Sequence, residues 1–191
     1  MIISPDIQLA SEQFAVAATS ELAIRLRRGL GDWPEDAVWI AWRLKTEKSI
    51  AEKAKRRGDS YFINDFVGIR VIVPHVGLLR EAVTIVCNWA SERDLSSRNI
   101  ADLFVNEGMG HYRSVHLDFE FGNPESGLGD RCGLEVQITT YLQHFHGLLS
   151  HRLLYKRNPD PRLVNTLALV SERVAELDQL VARSLTPEEP K

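Results

Sequence analysis

Two segments between residues 111 and 138 alternate between apolar and polar side chains with a period of two. A chain that carries such a pair builds a sheet with one face turned to a core. In His111-Tyr-Arg-Ser-Val-His-Leu-Asp-Phe-Glu-Phe121, Val115, Leu117, Phe119 and Phe121 fall on one side. Tyr112, Ser114, His116, Asp118 and Glu120 fall on the other. In Gly133-Leu-Glu-Val-Gln-Ile138, Leu134, Val136 and Ile138 oppose Glu135 and Gln137. A sheet face that gathers Tyr, His, Glu and Gln is suited to holding a ligand.

A third strand is expected at Val67 to Val73, a short β-rich run bounded by Asp65 and Pro74. The rest reads as helix. Residues 5 to 30 are rich in Ala and Leu and end at Gly29 and Gly31. Asp32-Trp-Pro34-Glu-Asp is a helix-start signal, and its helix is expected to run, with a break, through Trp39 and Trp42 to Gly58. Residues 77 to 92 and 139 to 156 return to helical spacing, and Asn158-Pro-Asp-Pro161 precedes a last helix to about Ser184. That order implies an α/β or α+β sheet with helical cover, not a parallel doubly wound fold. The last helix carries Leu163, Leu167, Val170, Val174, Leu177 and Val181 on one stripe, which suits either docking onto its own domain or a homo-oligomer interface.

With 191 residues, 44% of them hydrophobic and 26% charged, the chain has the size and balance of one globular domain. No apolar run approaches the ~20 residues of a membrane helix. The N-terminus, with Asp6 and Glu12, lacks the basic-then-apolar pattern of an export signal, so a cytoplasmic protein is expected. Cys87 and Cys132 have no metal-ligand spacing and read as free thiols.

The charge is unevenly placed. Residues 43 to 57 hold seven basic residues against two acidic ones, a local +5 that leaves −8 for the rest of a chain whose net charge is −3. A basic segment in an acidic protein points to an anionic ligand at one place. Lys45, Ser49, Lys53 and Arg56 follow at spacings of four, four and three. On one helix they share a face that can grip a polyphosphate; the plainer alternative is a solvated helix supported by pairs such as Glu52 with Arg56. No Gly-rich phosphate loop of either standard pattern occurs, so phosphate binding has to use side chains. Asp65, before one strand, and Glu135, within another, are the pair of carboxylates that a Mg²⁺ bound to phosphates needs, with Asp118 and Glu120 as rival ligands. Arg70, inside an apolar strand, is either the partner of a buried acid or a nucleotide ligand. Tyr112 is suited to stacking on a base, or is a half-buried sheet tyrosine. His144, His146 and His151 lack the spacing of a zinc site.

These motifs, in this order, resemble the synthetase domain of the RelA/SpoT family, the nucleotide pyrophosphokinases that make the alarmone (p)ppGpp. Arg43-Leu-Lys45, Ser49-Ile50 and Lys53 are similar to its R-x-K-x-x-x-S-I-x-x-K segment, and Asp65-Phe-Val-Gly68-Ile-Arg70 to its D-x-x-G-x-R strand. Tyr112-Arg-Ser114-Val-His116 resembles Y-R-S-x-H, and Glu135-Val-Gln137-Ile-x-Thr140 resembles E-V-Q-I-R-T. Leu142-Gln-His144, His151 and Tyr155-Lys156 match the helix that follows, so the likeness covers about residues 40 to 156; Leu177-Asp178 is similar to the terminal helix.

The resemblance implies a nucleotidyltransferase-like fold with a mixed, largely antiparallel sheet of about five strands flanked by helices. It implies one synthetase domain over residues 1–191: N-terminal helices to 40, a catalytic core over 41–156 and a C-terminal helix over 160–184. It implies transfer of the β,γ-pyrophosphate of ATP to the 3′-hydroxyl of GDP or GTP. Asp65 and Glu135 would hold Mg²⁺ and serve catalysis. Arg43, Lys45, Ser49, Lys53, Arg56, Arg70 and Gln137 would bind ATP, and Tyr112, Ser114 and His116 would receive the acceptor. The chain departs from the pattern at Thr139, where the family has Arg, at Gly110-His111, at Gly108 and at Ser150. These positions lie on the acceptor side. Small family members that resemble toxins acting on the 3′-adenosine of tRNA therefore supply a second expectation, tRNA as acceptor and an antitoxin protein as partner. A non-catalytic nucleotide-binding module is the third.

Overall fold

A computed structural model describes residues 4–31, 33–34, 36–57, 62–102, 113–121, 132–154 and 160–185. Along the chain run α1 (Pro5–Gly29), β1 (Trp39–Leu44), α2 (Glu47–Arg57), β2 (Ile63–Val73), a 3₁₀ turn (Val76–Leu78), α3 (Leu79–Ser91), β3 (Leu95–Asp102), β4 (Val115–Phe121), β5 (Cys132–Thr140), α4 (Tyr141–Leu154) and α5 (Pro161–Leu185). The five strands form one sheet in the order β1-β2-β5-β4-β3. Only β2 and β5 pair in parallel; β1 with β2, β4 with β5 and β3 with β4 are antiparallel. The expected mixed, largely antiparallel sheet with helical cover is the fold observed.

Helix α1 starts where its chemistry dictates. The Ser4 hydroxyl accepts from the Ile7 amide at 3.3 Å, and Pro5 fills the first turn, where its missing N–H is no loss. Ser11, Ala15, Ala18, Leu22 and Leu26 recur at three and four residues and turn one buried stripe to the sheet. There they meet Val67, Ile69 and Val71 of β2, Leu134, Val136 and Ile138 of β5, Leu117 of β4, and Ala82, Val86 and Trp89 of α3. Each large apolar side chain so buried stabilises the fold by about 1.5–3 kcal/mol. Trp89 is fully buried, and its indole N–H donates to Glu21 Oε2 at 3.1 Å, which satisfies the polar end of the core's largest side chain.

Three expectations need correction. Residues 39–44 are a strand, not a helix: Trp-Ile-Ala-Trp-Arg-Leu is rich in strand formers, and it pairs with β2 from Trp39↔Ile72 to Leu44↔Val67. The helix begins only at Glu47, where the Thr46 hydroxyl accepts from the Ser49 amide at 3.3 Å as an N-cap. Strand β2 starts at Ile63, so Asp65 lies within it and not ahead of it. The apolar stripe expected on α5 is only part of its buried face, with Leu163, Val174 and Val181 half-buried. Leu167, Ser171, Asp178 and Ala182 are buried, while Val170 and Leu177 are exposed. Polar docking decides that face: Asp178 accepts from the Val76 amide at 3.0 Å and from the Thr140 hydroxyl, which itself caps α4 at the Gln143 amide.

Candidate active site

The face of the sheet opposite α1 and α3 is laid out in rows. Cross-strand register places Arg43, Gly68, Glu135 and Asp118 side by side on β1, β2, β5 and β4. The next row holds Ala41, Arg70, Gln137 and His116. Period-two alternation puts both rows on one face, because apolar neighbours such as Ile69, Val136 and Leu117 point to the helices. Gly68 leaves the Arg43 side chain room to lie across β2. A Cβ there would lie 3.3 Å from Arg43 Nε and 3.4 Å from Arg43 Cγ, so any side chain would push on the guanidinium.

The rows are linked by hydrogen bonds. Arg70 Nη2 donates to Gln137 Oε1 at 2.7 Å, and Gln137 Nε2 donates to Glu135 Oε1. His116 Nδ1 lies 3.6 Å from Glu135 Oε2. Burial pushes the Glu135 carboxyl up, but the hydrogen bond and charge of His116, with the bond from Gln137, outweigh it and hold the group below the ordinary carboxylate range. Its neighbour behaves oppositely. Burial and the charge of Glu135 push Asp118 up, against the hydrogen bond from Asn64 Nδ2 at 3.2 Å. Two adjacent carboxylates are thus driven apart in acidity, Glu135 downward and Asp118 upward.

Asp65 lies three residues before Gly68 on β2, in the part of the strand where the register with β5 shifts, and close enough for its charge to act on Glu135. Lys45 Nζ donates to its Oδ2, and Lys53 Nζ to its Oδ1 at 3.0 Å. Burial pushes this carboxyl up, yet the two ammonium groups more than offset it and keep it low. Lys45 is therefore not on the helix with Lys53, as the spacing suggests. It sits in the β1–α2 connection, and the two converge on Asp65 from different elements. Ser49 is in the first turn of α2, bonded to Thr46 at 3.0 Å between hydroxyls. Arg56 is exposed near the end of α2, with its Nε on the Glu52 carbonyl at 3.2 Å.

A recess of about 160 Å³ opens beside the rows, lined by Trp39, Trp42, Arg43, Arg70, Glu135 and Gln137 among others. The Trp39 ring is 6.1 Å from that of His144, tilted by 36°. Burial and the charge of Arg70 hold His144 below its usual pKa. Arg70 Nε is buried without a hydrogen-bond partner, a donor aimed where an anion would be welcome. Trp39, Trp42 and His144 were not among the expected site residues. The signal that finds Trp39 is the period-two run Trp39-x-Ala41-x-Arg43, which a helical reading hides; no such signal marks Trp42 or His144.

Among the residues expected to receive the acceptor, Ser114 is fully buried just before β4, its hydroxyl unpaired; nearby the Thr139 hydroxyl donates to the Arg113 carbonyl at 3.1 Å. Tyr112 lies outside the described residues, as do Gly108, Gly110-His111 and Tyr155-Lys156. Among the described residues no group of three or more His, Cys, Asp and Glu could hold a metal, and no helix is long and apolar enough to cross a membrane.

Comparison with known proteins places this arrangement. The chain is 26% identical over 146 residues to the GTP pyrophosphokinase YwaC of Bacillus subtilis (strain 168), covering 72% of this chain and 68% of that protein. Its fold is similar to small alarmone synthetase 2 of Bacillus subtilis, with a TM-score of 0.76, 24% identity and coverage of 92% of this chain and 94% of that one. It is also similar to small alarmone synthetase 1 of the same species bound to its product pppGpp, at a TM-score of 0.67 and 22% identity over 91% and 95% of the two chains. The model of the region found in RelA / SpoT proteins matches residues 42–160, which hold both site rows except Ala41, and the chain belongs to the RelA/SpoT family.

Proposed function

We propose that the protein transfers the β,γ-pyrophosphate of ATP to the 3′-hydroxyl of GDP or GTP, yielding a (p)ppGpp-type product and AMP. The observation that carries the reading is the convergence of Asp65 and Glu135 with Arg43, Lys45, Lys53 and Arg70 on one sheet face of a RelA/SpoT chain. The names of the relatives point the same way.

Arg43, Lys45, Lys53 and Arg70 supply positive charge for a triphosphate, the arginines as planar forks and the lysines as point charges. Ser49 and Arg56 extend that cationic side along α2. Trp39 and Trp42, 47% and 38% exposed beside the recess, offer flat faces to the adenine ring. Two carboxylates from separate places on one face fit Mg²⁺, which takes one or two protein oxygens and completes its shell with phosphate and water. Mg²⁺, when bound, neutralises phosphate charge as the transfer proceeds. Asp65 and Glu135 are the residues that would hold it.

At the reacting centre the acceptor oxygen bonds to the β-phosphorus while the bond from that phosphorus to the α,β-bridging oxygen breaks, and AMP leaves. The hydroxyl proton passes to Glu135, which His116 and Gln137 keep ionised and oriented. Ser114 and His116 border the acceptor side, with Tyr112 as its base-stacking residue. Positioning and charge neutralisation supply most of the rate.

The test is label transfer from γ-labelled ATP with Mg²⁺ to GDP, GTP and tRNA in parallel. Labelled 3′-pyrophosphorylated GDP or GTP is expected, lost at least 1,000-fold in Glu135→Gln, on the order of other removals of a transition-state group. The tRNA arm is included because Thr139 is buried and uncharged, so that position offers the acceptor no cation. Transfer to tRNA alone would replace the guanine-nucleotide reading, and an antitoxin partner would then be sought. No transfer to any acceptor would leave a nucleotide-binding module.

A further inference from the structure

On the other side of the sheet from the two site rows lies a second cavity, of about 510 Å³. That volume is within the ~300–1,000 Å³ range of small-ligand sites. Its walls are apolar: Val76 of the 3₁₀ turn, Leu79 at the start of α3, Val83 one turn on, Val115 of β4 and Ile100 of β3. At its margin lies Gln143 of α4, which is fully buried, and neither its amide oxygen nor its amide nitrogen has a hydrogen-bond partner. A buried carboxamide with both ends unmet is rare, because each unmade bond carries the desolvation cost of the group.

The charged groups around the cavity divide by role. Asp178 is committed, its oxygens accepting from the Val76 amide and the Thr140 hydroxyl. Arg80 and Arg113 bring positive charge to the same lining. Neither this lining nor Gln143 overlaps the rows of Arg43, Gly68, Glu135 and Asp118 or of Arg70, Gln137 and His116.

We infer that this cavity is a binding site for a small planar heterocycle that carries a cyclic-amide edge and an anionic group. The Gln143 carboxamide offers one acceptor and a donor side by side, the complement of a ring N–H next to a ring carbonyl. The valine, leucine and isoleucine walls take the faces of the ring, and Arg80 and Arg113 take the anion. The site is independent of the transfer reaction proposed above.

Orotate, which combines a cyclic imide with a carboxylate, is the probe; benzoate, with ring and charge but no amide edge, is its control. Methyl-labelled full-length protein is titrated with each while the methyl resonances of Val76, Leu79, Val83 and Val115 are followed. Orotate is expected to shift these methyls at sub-millimolar to millimolar concentration and benzoate at least tenfold more weakly. Gln143→Leu is expected to weaken orotate at least tenfold. If that variant does not fold, Arg113→Met serves instead, weakening orotate but not neutral uracil. Equal binding of benzoate, unchanged binding to the variant, or displacement of orotate by ATP overturns the inference. So does an absence of any shift, which would assign a buried water to Gln143.

Discussion

Replacing Asp65 by Asn tests the electrostatics of the site at one atom pair. Lys45 and Lys53 both donate to this carboxylate, and the side chains are only 10% (Lys45), 28% (Lys53) and 13% (Asp65) exposed. Removing one member of a fully buried pair costs about 3–5 kcal/mol, because a charge is left without a partner. Here the amide keeps one acceptor oxygen and Lys53 reaches water, so the expected loss is about 1–3 kcal/mol. For a chain of this size each 1 kcal/mol moves Tm by about 2–4 °C, so a loss near 2 kcal/mol lowers it by roughly 4–8 °C. The pH dependence fixes the cause. Asp65 has a folded pKa below its unfolded value of about 3.9, so its contribution is fully present above that value and is lost as pH falls through the folded pKa. Urea unfolding followed by circular dichroism from pH 7 to pH 3 should show a constant gap between parent and Asp65→Asn down to about pH 4. Below that the gap closes. A variant as stable as the parent at pH 7, or a gap that persists into acid, would refute the ion-pair account.

Asp118→Asn should act in the opposite sense. Because burial and Glu135 raise the Asp118 pKa, the folded state disfavours its charge, and the amide variant should melt higher at pH 7, the advantage vanishing in acid. Gly133→Ala should destabilise by about 1–3 kcal/mol, since its Cβ would meet Phe62 Cε1 at 2.8 Å and the Asn64 and Phe119 carbonyl oxygens at 2.9 and 3.0 Å; denaturant midpoints read the loss. Asp178→Ala should cost about 2–4 kcal/mol in the same assay, because the Val76 amide and the Thr140 hydroxyl both lose their acceptor.

Strands β4 and β5 were legible because one face is apolar throughout, and their polar positions are those that line the site. Arg70, Glu135 and Gln137 were found as chemistry out of place, charge or amide within apolar runs, and Asp65 as the acid bounding one of them. What stayed hidden has a common cause. Strand β1 holds two tryptophans at a spacing that helices also use, which masks its strand-forming composition until it pairs with β2. Strand β3 reads Leu-Ser-Ser-Arg-Asn-Ile-Ala-Asp, too polar to announce an edge strand that needs only one neighbour. The convergence of Lys45 and Lys53 follows from that missed strand, since only a break at Thr46 lets them approach Asp65 from two sides. On α5, hydrophobic periodicity named only part of the buried face, because a buried carboxylate that satisfies both the Val76 amide and the Thr140 hydroxyl turns the docking toward its own side.

The order β1-β2-β5-β4-β3 has a consequence for how the molecule comes into being. Strand β5 is the last of the five to be synthesised, yet it lies in the middle. Until it arrives, β1–β2 and β3–β4 are separate hairpins with no shared edge, Arg43 and Gly68 on one and His116 and Asp118 on the other. Insertion of residues 132–140 joins them and brings Glu135 and Gln137 into both rows in the same event. Long-range pairing of this kind is slow to nucleate and cooperative once begun. A ribosome-bound chain that has not released β5 therefore holds every cationic group of the site but none of its joining carboxylate, so competence arises in one step once residues 132–140 have emerged.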